Sequence, residues 1–191
     1  MGRPREFNDE VVLERAMEEF WSRGYAGTSP AQLAEATGVA KGSLYNAFTS
    51  KRELFERCLD LYHLQTSEIA KGLMQHPGTT RECIGAALRA IVDADLAHPN
   101  RRGCLIGNTA VEMAGHDVGI AEKLRRMQGE STGWFQARVE RGQLDGDVAR
   151  DRDPRAYADF LANTLTGLRV MAINHDAATL HRIIDTATAA L

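Results

Sequence analysis

The chain has 191 residues, 43% of them hydrophobic and 26% charged, with a formal net charge of −3. That length suffices to bury a core in one large or two small domains, and the hydrophobic content excludes a wholly disordered chain. The negative balance argues against indiscriminate coating of nucleic acid.

No run is apolar enough to cross a bilayer, and the start MGRPREFNDE lacks the apolar centre of a signal peptide, so the expected compartment is the cytoplasm. Apolar residues recur at helical spacing nearly throughout, and no segment alternates at period two for a strand's length. The first predicted helix opens at Asn8, an N-cap residue followed by Asp9 and Glu10, which the helix dipole favours in the first turn. Leu13, Ala16, Met17, Phe20 and Trp21 form its apolar stripe, and Gly24 ends it. Ser29-Pro30-Ala31-Gln32 joins a capping box to a proline at the first helical position, and Gly38 closes this second helix after about two turns. A third helix covers about 41–47. Ser50-Lys51-Arg52-Glu53 is another capping box, opening a long helix towards His76.

His76-Pro77-Gly78 breaks the chain, and Thr79-Thr80-Arg81-Glu82 caps a helix that ends near His98-Pro99-Asn100. The next helix begins around Gly103 and stops near Gly115. A further one runs from about Asp117 to Gly142, with kinks expected at Gly129 and Gly133. GQLDGDVARDRDP reads as a polar loop. Asp153-Pro154 starts a helix carrying Tyr157, Phe160, Leu161, Leu165 and Leu168, and the last helix, 177–191, places Leu180, Ile183, Ile184 and Ala187 on one side.

Residues 30–49 hold two short helices that must cross closely. Leu33 and the small Ala34 face the second helix, Gly38 makes the sharp turn, and Val39, Leu44 and Phe48 close a mini-core. With Leu44, Ala47 and Phe48 turned inward, helical geometry sends Gly42, Ser43, Tyr45 and Asn46 outward. A short helix with a hydrogen-bonding outer face suits the major groove, which admits one α-helix and displays donors and acceptors. From Phe20 to Arg52 the basic residues Arg23, Lys41, Lys51 and Arg52 meet a single acid, Glu35, so this region can present a positive face despite the acidic first helix.

The run TSPAQLAEATGVAKGSLYNAFTSKRELF resembles the DNA-binding signature of the tetracycline-repressor (TetR) family of transcription regulators, and the likeness extends over about residues 8–57. The resemblance implies an all-α homodimer with two domains. A three-helix helix-turn-helix DNA-binding domain would occupy 1–50, and a helical ligand-binding and dimerisation domain 51–191, with the helix of about 50–76 connecting them. Its partners would be a palindromic double-stranded operator and a small-molecule inducer whose binding releases the DNA. Carried across by position, Thr28 and Gln32 would lie near a phosphate, Lys41, Gly42, Ser43 and Asn46 would face base edges, and Tyr45 would give its hydroxyl to a phosphate. Lys51, beside free N–H groups at a helix N-terminus, would grip another. Arg3 and Arg5 read either as a minor-groove arm or as a tail. The chain departs from the family pattern at Ala40, where a Ser or Thr cap is usual, and at Ala47, where His or Tyr is usual.

In the remainder, the helices of 153–174 and 177–191 lie where the family dimerises. Ala158, Ala162 and Gly167 beside Leu161, Leu165 and Leu168 would let backbones approach; completing the monomer's own core is the competing reading. Cys104 follows Arg101-Arg102-Gly103 and opens a helix, so nearby cations and the helix N-terminus favour its thiolate. It reads either as a redox or electrophile sensor or as a small buried residue, whereas Cys58 and Cys83 read as packing. An inducer pocket would draw on Cys104, Asn108, Met113, Met127, Trp134 and Phe135, with Phe160 or Thr164 as further contributors, and would suit a hydrophobic molecule. No cofactor or metal motif is present in the sequence. Gly129-Glu130-Ser131-Thr132-Gly133 matches the nucleophile pattern of hydrolases, but it sits in a helical stretch with no strand before it. A helical interaction module without DNA is the other alternative, and it leaves the outer face of 41–46 unexplained.

Overall fold

The computed structural model describes residues 8–191; Arg3 and Arg5 lie outside the described residues. The described residues form the helices α1 (Asp9–Gly27), α2 (Pro30–Thr37), α3 (Lys41–Phe48), α4 (Lys51–Met74), α5 (Thr80–Ala97), α6 (Leu105–Met113), α7 (Val118–Asp145), α8 (Pro154–Met171) and α9 (Ala177–Thr188), and no strand. The expected all-α class is what the chain adopts. It divides into two compact units, one up to Gln65 and one from Thr66, so α4 contributes to both.

In the first unit α1 buries Val12, Ala16, Met17 and Phe20, while Leu13 and Trp21 of the expected stripe are half-buried. Leu33, Leu44, Phe48, Leu54, Phe55 and Leu59 complete the core, each almost fully removed from water. Phe20 meets Phe55 edge-on at 4.9 Å, and Trp21 meets Tyr62 at 4.8 Å, separations at which aromatic quadrupoles attract. Gly24 does interrupt α1, at φ 75, but one more helical turn follows to Gly27.

The second unit packs α5, α7, α8 and α9 around Ile84, Leu88, Val92, Phe135, Val139, Ala158, Leu161, Leu168, Leu180 and Ile184. Its helix starts are fixed locally. Thr79 and Glu82 form a full capping box, and Asp117, Asp153 and Asp176 each accept a backbone N–H of their own first turn.

Two expectations for α7 do not hold. Gly129 and Gly133 produce no kink, and the helix continues three residues past Gly142 into the presumed loop. An interior glycine costs only about 0.5–1 kcal/mol relative to alanine. The buried stripe Ile120, Leu124, Met127, Thr132, Phe135 and Val139 outweighs that. Gly142 is instead required by packing, because a Cβ there would collide with Thr80 Oγ1, Asp147 Oδ1 and Val148. Its carbonyl collects the N–H groups of Gly146, Asp147 and Val148 at 2.9, 3.0 and 3.2 Å, which turns the chain towards α8.

Candidate nucleic-acid interface

The interface grows from the joint between α2 and α3. Ser29 Oγ accepts the N–H of Gln32 at 3.2 Å, and Gln32 Oε1 accepts the N–H of Ser29 at 2.7 Å, with Pro30 at the first helical position. This box fixes the start of α2. Gly38, at φ 70 and ψ 15, ends it in the left-handed conformation that a glycine adopts without steric cost. Arg15 of α1 reaches the carbonyl of Thr37 at 3.3 Å and sets a cation on the last turn of α2. Sequence reasoning missed Arg15, since nothing local links residues 22 positions apart.

Beyond the turn, Val39, Leu44 and Phe48 are buried, and Lys41, Gly42, Ser43 and Asn46 are exposed. Among the described residues nothing lies within 4 Å of where a Gly42 side chain would begin, so the backbone of α3 is open to close approach there. Ala40 supplies no side-chain cap to α3. At the other end Thr49 holds φ 59 and ψ −47, and Ser50 N–H bonds Phe48 C=O at 2.5 Å. That is a γ-turn of the rare strained kind, and it reverses the chain between α3 and α4 in one residue. Its sequence carries no glycine to announce it. Ser50 Oγ then caps α4 by accepting the N–H of Glu53 at 3.0 Å.

Two predicted contact residues, Thr28 and Tyr45, sit differently from expectation. Thr28 is fully buried and donates its hydroxyl to the carbonyl of Gly24 at 2.7 Å, so it is an interior cap of α1 and not a surface group. Tyr45 is half-buried, not outward. Its hydroxyl is shielded from solvent and has no hydrogen-bond partner among the described residues. Burial, and then the neighbouring Tyr25, raise its pKa, so the hydroxyl stays a neutral donor. Gln32 spends its side-chain oxygen on the capping box, which leaves its amide hydrogens as the outward-facing donors. Lys51 lies with Nζ 4.3 Å above the Tyr25 ring, a cation–π contact that fixes its charge beside the start of α4. Arg52 pairs with Glu56 at 2.6 Å along the helix.

In the second unit the residues expected to line an inducer pocket differ in burial and partners. Phe135 belongs to the main core, Met113 and Met127 are buried, and Trp134 is half-buried. Asn108 donates to the carbonyl of Arg102 at 2.8 Å, and Cys104 is the half-buried N-cap of α6, its Sγ accepting the N–H of Gly107 at 3.5 Å. Cys58 and Cys83 are buried, and burial pushes both thiols up. Ser131 lies within unbroken α7 and bonds the carbonyl of Met127 at 3.2 Å, a geometry without the exposed turn that a nucleophilic serine needs. On the outer side of α8 and α9, Phe160, Thr164, Thr179, Arg182, Ile183, Thr186 and Ala187 line an open groove of about 390 Å³. Phe160, Val170 and Ile173 nearby are exposed.

Against known proteins, residues 12–58 match the model of bacterial regulatory proteins of the tetR family, and residues 81–187 match the tetracyclin repressor-like C-terminal domain. The chain is 32% identical to the uncharacterised HTH-type transcriptional regulator YezE of Bacillus subtilis over 90% of its own length and 89% of the relative's. It is 27% identical to the HTH-type transcriptional repressor ComR of Escherichia coli, covering 97% and 88%. Among solved structures, a cysteine-substituted CifR regulator complexed with 26-base-pair double-strand operator DNA superposes with a TM-score of 0.90 at 35% identity, covering 98% of this chain and 99% of that one. A TetR transcriptional regulator from Chloroflexus aurantiacus gives 0.84 at 26% identity, covering 94% and 91%.

Proposed function

This chain belongs to the TetR family of bacterial regulatory proteins, and from that premise we propose that it is a ligand-responsive, operator-binding transcriptional repressor acting as a homodimer. One observation carries the reading: α3 turns Leu44 and Phe48 into the core and offers Lys41, Gly42, Ser43 and Asn46 to the outside. A hydrogen-bonding face with one cation, around a bare glycine, can approach base edges that a bulkier helix would not reach. The CifR relative, so similar along nearly its whole length, is held on operator DNA.

In this reading Lys41, Gly42, Ser43 and Asn46 face base edges, while Lys51 and the Gln32 amide meet phosphates. The Tyr45 hydroxyl, without a partner among the described residues, turns to a phosphate when DNA arrives. Residues 1–50 serve as the DNA-binding domain and 51–191 as the ligand-binding and dimerisation domain. The dimer forms through α8 and α9, where the groove beside Phe160 is apolar enough to receive a second copy. Two copies then place their α3 helices in successive major grooves, ~34 Å apart on a palindrome. Release follows binding of a small hydrophobic molecule in the second unit, or alkylation of Cys104, in which its sulfur adds to an activated carbon–carbon double bond, the S–C bond forming as the π bond breaks and the thiol proton being replaced by one on the neighbouring carbon. The site of action is the cytoplasm, where the operator is.

The protein is a regulator and no hydrolase, since Ser131 is held inside α7. The test is selection of bound fragments from random genomic DNA at moderate salt. An enriched inverted repeat is expected; retention of DNA without any sequence preference would overturn the assignment.

A further inference from the structure

The loop between α5 and α6 is tied at Arg101, Arg102 and Gly103. Arg169 of α8 and Asp95 of α5 form a two-pronged pair, Nε to Oδ2 at 2.7 Å and Nη2 to Oδ1 at 2.8 Å, with side chains only 12% and 10% exposed. The same guanidinium reaches the carbonyl of Gly103 at 3.5 Å. Gly103 stands at φ +66, and a side chain there would come within 3.1 Å of the Arg169 carbonyl and 3.4 Å of Ile173 Cδ1. Arg101, itself at φ 39, donates to the carbonyl of His175 at 3.3 Å. The carbonyl of Arg102 takes the Asn108 amide. Cys104, the cap of α6, comes next in the chain.

We propose that the buried Asp95–Arg169 pair is a clamp that holds this loop, and with it the cap geometry of Cys104, against the C-terminal turn of α8. Arg169 is then a positioning residue for Cys104. A buried ion pair adds little net stability over well-packed apolar residues, because desolvation offsets its attraction, but it does fix one arrangement of the groups it joins. Here the arrangement includes three successive loop residues, two of them at positive φ, which the loop would not hold unaided. The exposed Val170 and Ile173 follow Arg169 at the end of α8, a helix of the proposed dimer face, so the clamp also joins the Cys104 loop to that end. The clamp stands on geometry alone; only its link to operator release rests on the function proposed above.

The test uses the full chain with Asp95→Leu and Arg169→Met combined, which removes both charges together, and follows the reaction of its thiols with 5,5′-dithiobis(2-nitrobenzoate). Cys58 and Cys83, both buried, serve as internal references. The expected result is a folded protein in which Cys104 reacts about fivefold faster or more, while the two reference thiols stay slow, because only the loop opens more readily. An unchanged Cys104 rate in the folded double variant would overturn the clamp. Arg169→Lys keeps the charge and loses the fork. It gives the same test if the double variant fails to fold, with a smaller acceleration expected and an unchanged rate again overturning the proposal. Treating the wild-type protein with N-ethylmaleimide and measuring operator binding separates the second claim. An accelerated thiol in the variant with operator affinity indifferent to alkylation would support the clamp and overturn Cys104 as a trigger.

Discussion

Replacing Tyr45 with phenylalanine removes one oxygen and leaves the ring in place. In the free protein that oxygen is shielded and has no partner among the described residues, and a hydroxyl in such a state costs about 1–3 kcal/mol. Tyr45→Phe is therefore expected to leave stability unchanged or raise it, with each kcal/mol lifting Tm by about 2–4 °C in a chain of this size. On DNA the sign reverses. A hydrogen bond from a neutral hydroxyl to a charged phosphate is worth about 1.5–3 kcal/mol, so each half-site weakens by roughly 10- to 100-fold. A phosphate carries no sequence information, and the loss should be equal on specific and random DNA. Thermal denaturation and fluorescence anisotropy at one fixed salt concentration read the two effects on the same preparation. Binding within about twofold of wild type would refute the phosphate role of the hydroxyl. Lost stability in the free protein would refute the claim that it has no partner there.

Three further outcomes follow from the packing. Gly142→Ala drives a methyl group into Thr80, Asp147 and Val148 and should cost about 1–3 kcal/mol by overpacking, measured by chemical denaturation; a neutral effect would mean the turn after α7 is looser than described. Phe160→Asp sets like charges against each other across the proposed two-fold face, which costs several kcal/mol, so sedimentation should show monomer where wild type is dimer, with operator binding lost as well; a dimer of wild-type strength would move the interface elsewhere. The Glu82 carboxyl is held below the ordinary carboxylate range by the N–H and then the hydroxyl of Thr79. Its lowered pKa means the stabilisation is complete above the unfolded value and is lost as pH falls through the folded one. Glu82→Gln keeps the cap but should flatten that acid-side dependence, and an unchanged stability–pH profile would contradict the assignment.

Helix order was legible because its signals are local: capping boxes at Ser29, Ser50 and Thr79, the prolines after Ser29 and Asp153, and the left-handed Gly38 all read directly from neighbouring residues. The polar face of α3 was legible for the same reason, since Leu44 and Phe48 fix which side is buried. What failed were properties decided at a distance. Thr28 looks like a surface hydroxyl until Gly24 bends α1 and presents it with a carbonyl. Tyr45 looks outward by helical phase, yet it is half-buried and its hydroxyl is shielded from solvent. Gly129 and Gly133 read as kinks because their own conformational cost is visible in sequence, whereas the packing that overrides it comes from other helices. Arg169 and Asp95 are 74 positions apart, and no local pattern pairs them.

The account stands on α3 entering the major groove twice, once from each copy. Selecting operators in parallel with wild type and Asn46→Ala measures this most directly. Wild type should enrich an inverted repeat whose half-sites lie about one helical turn or slightly more apart. Asn46→Ala should keep that spacing and lose preference at the same base pair in each half. A single unrepeated site, or a preference that Asn46→Ala leaves untouched in both halves, would contradict it.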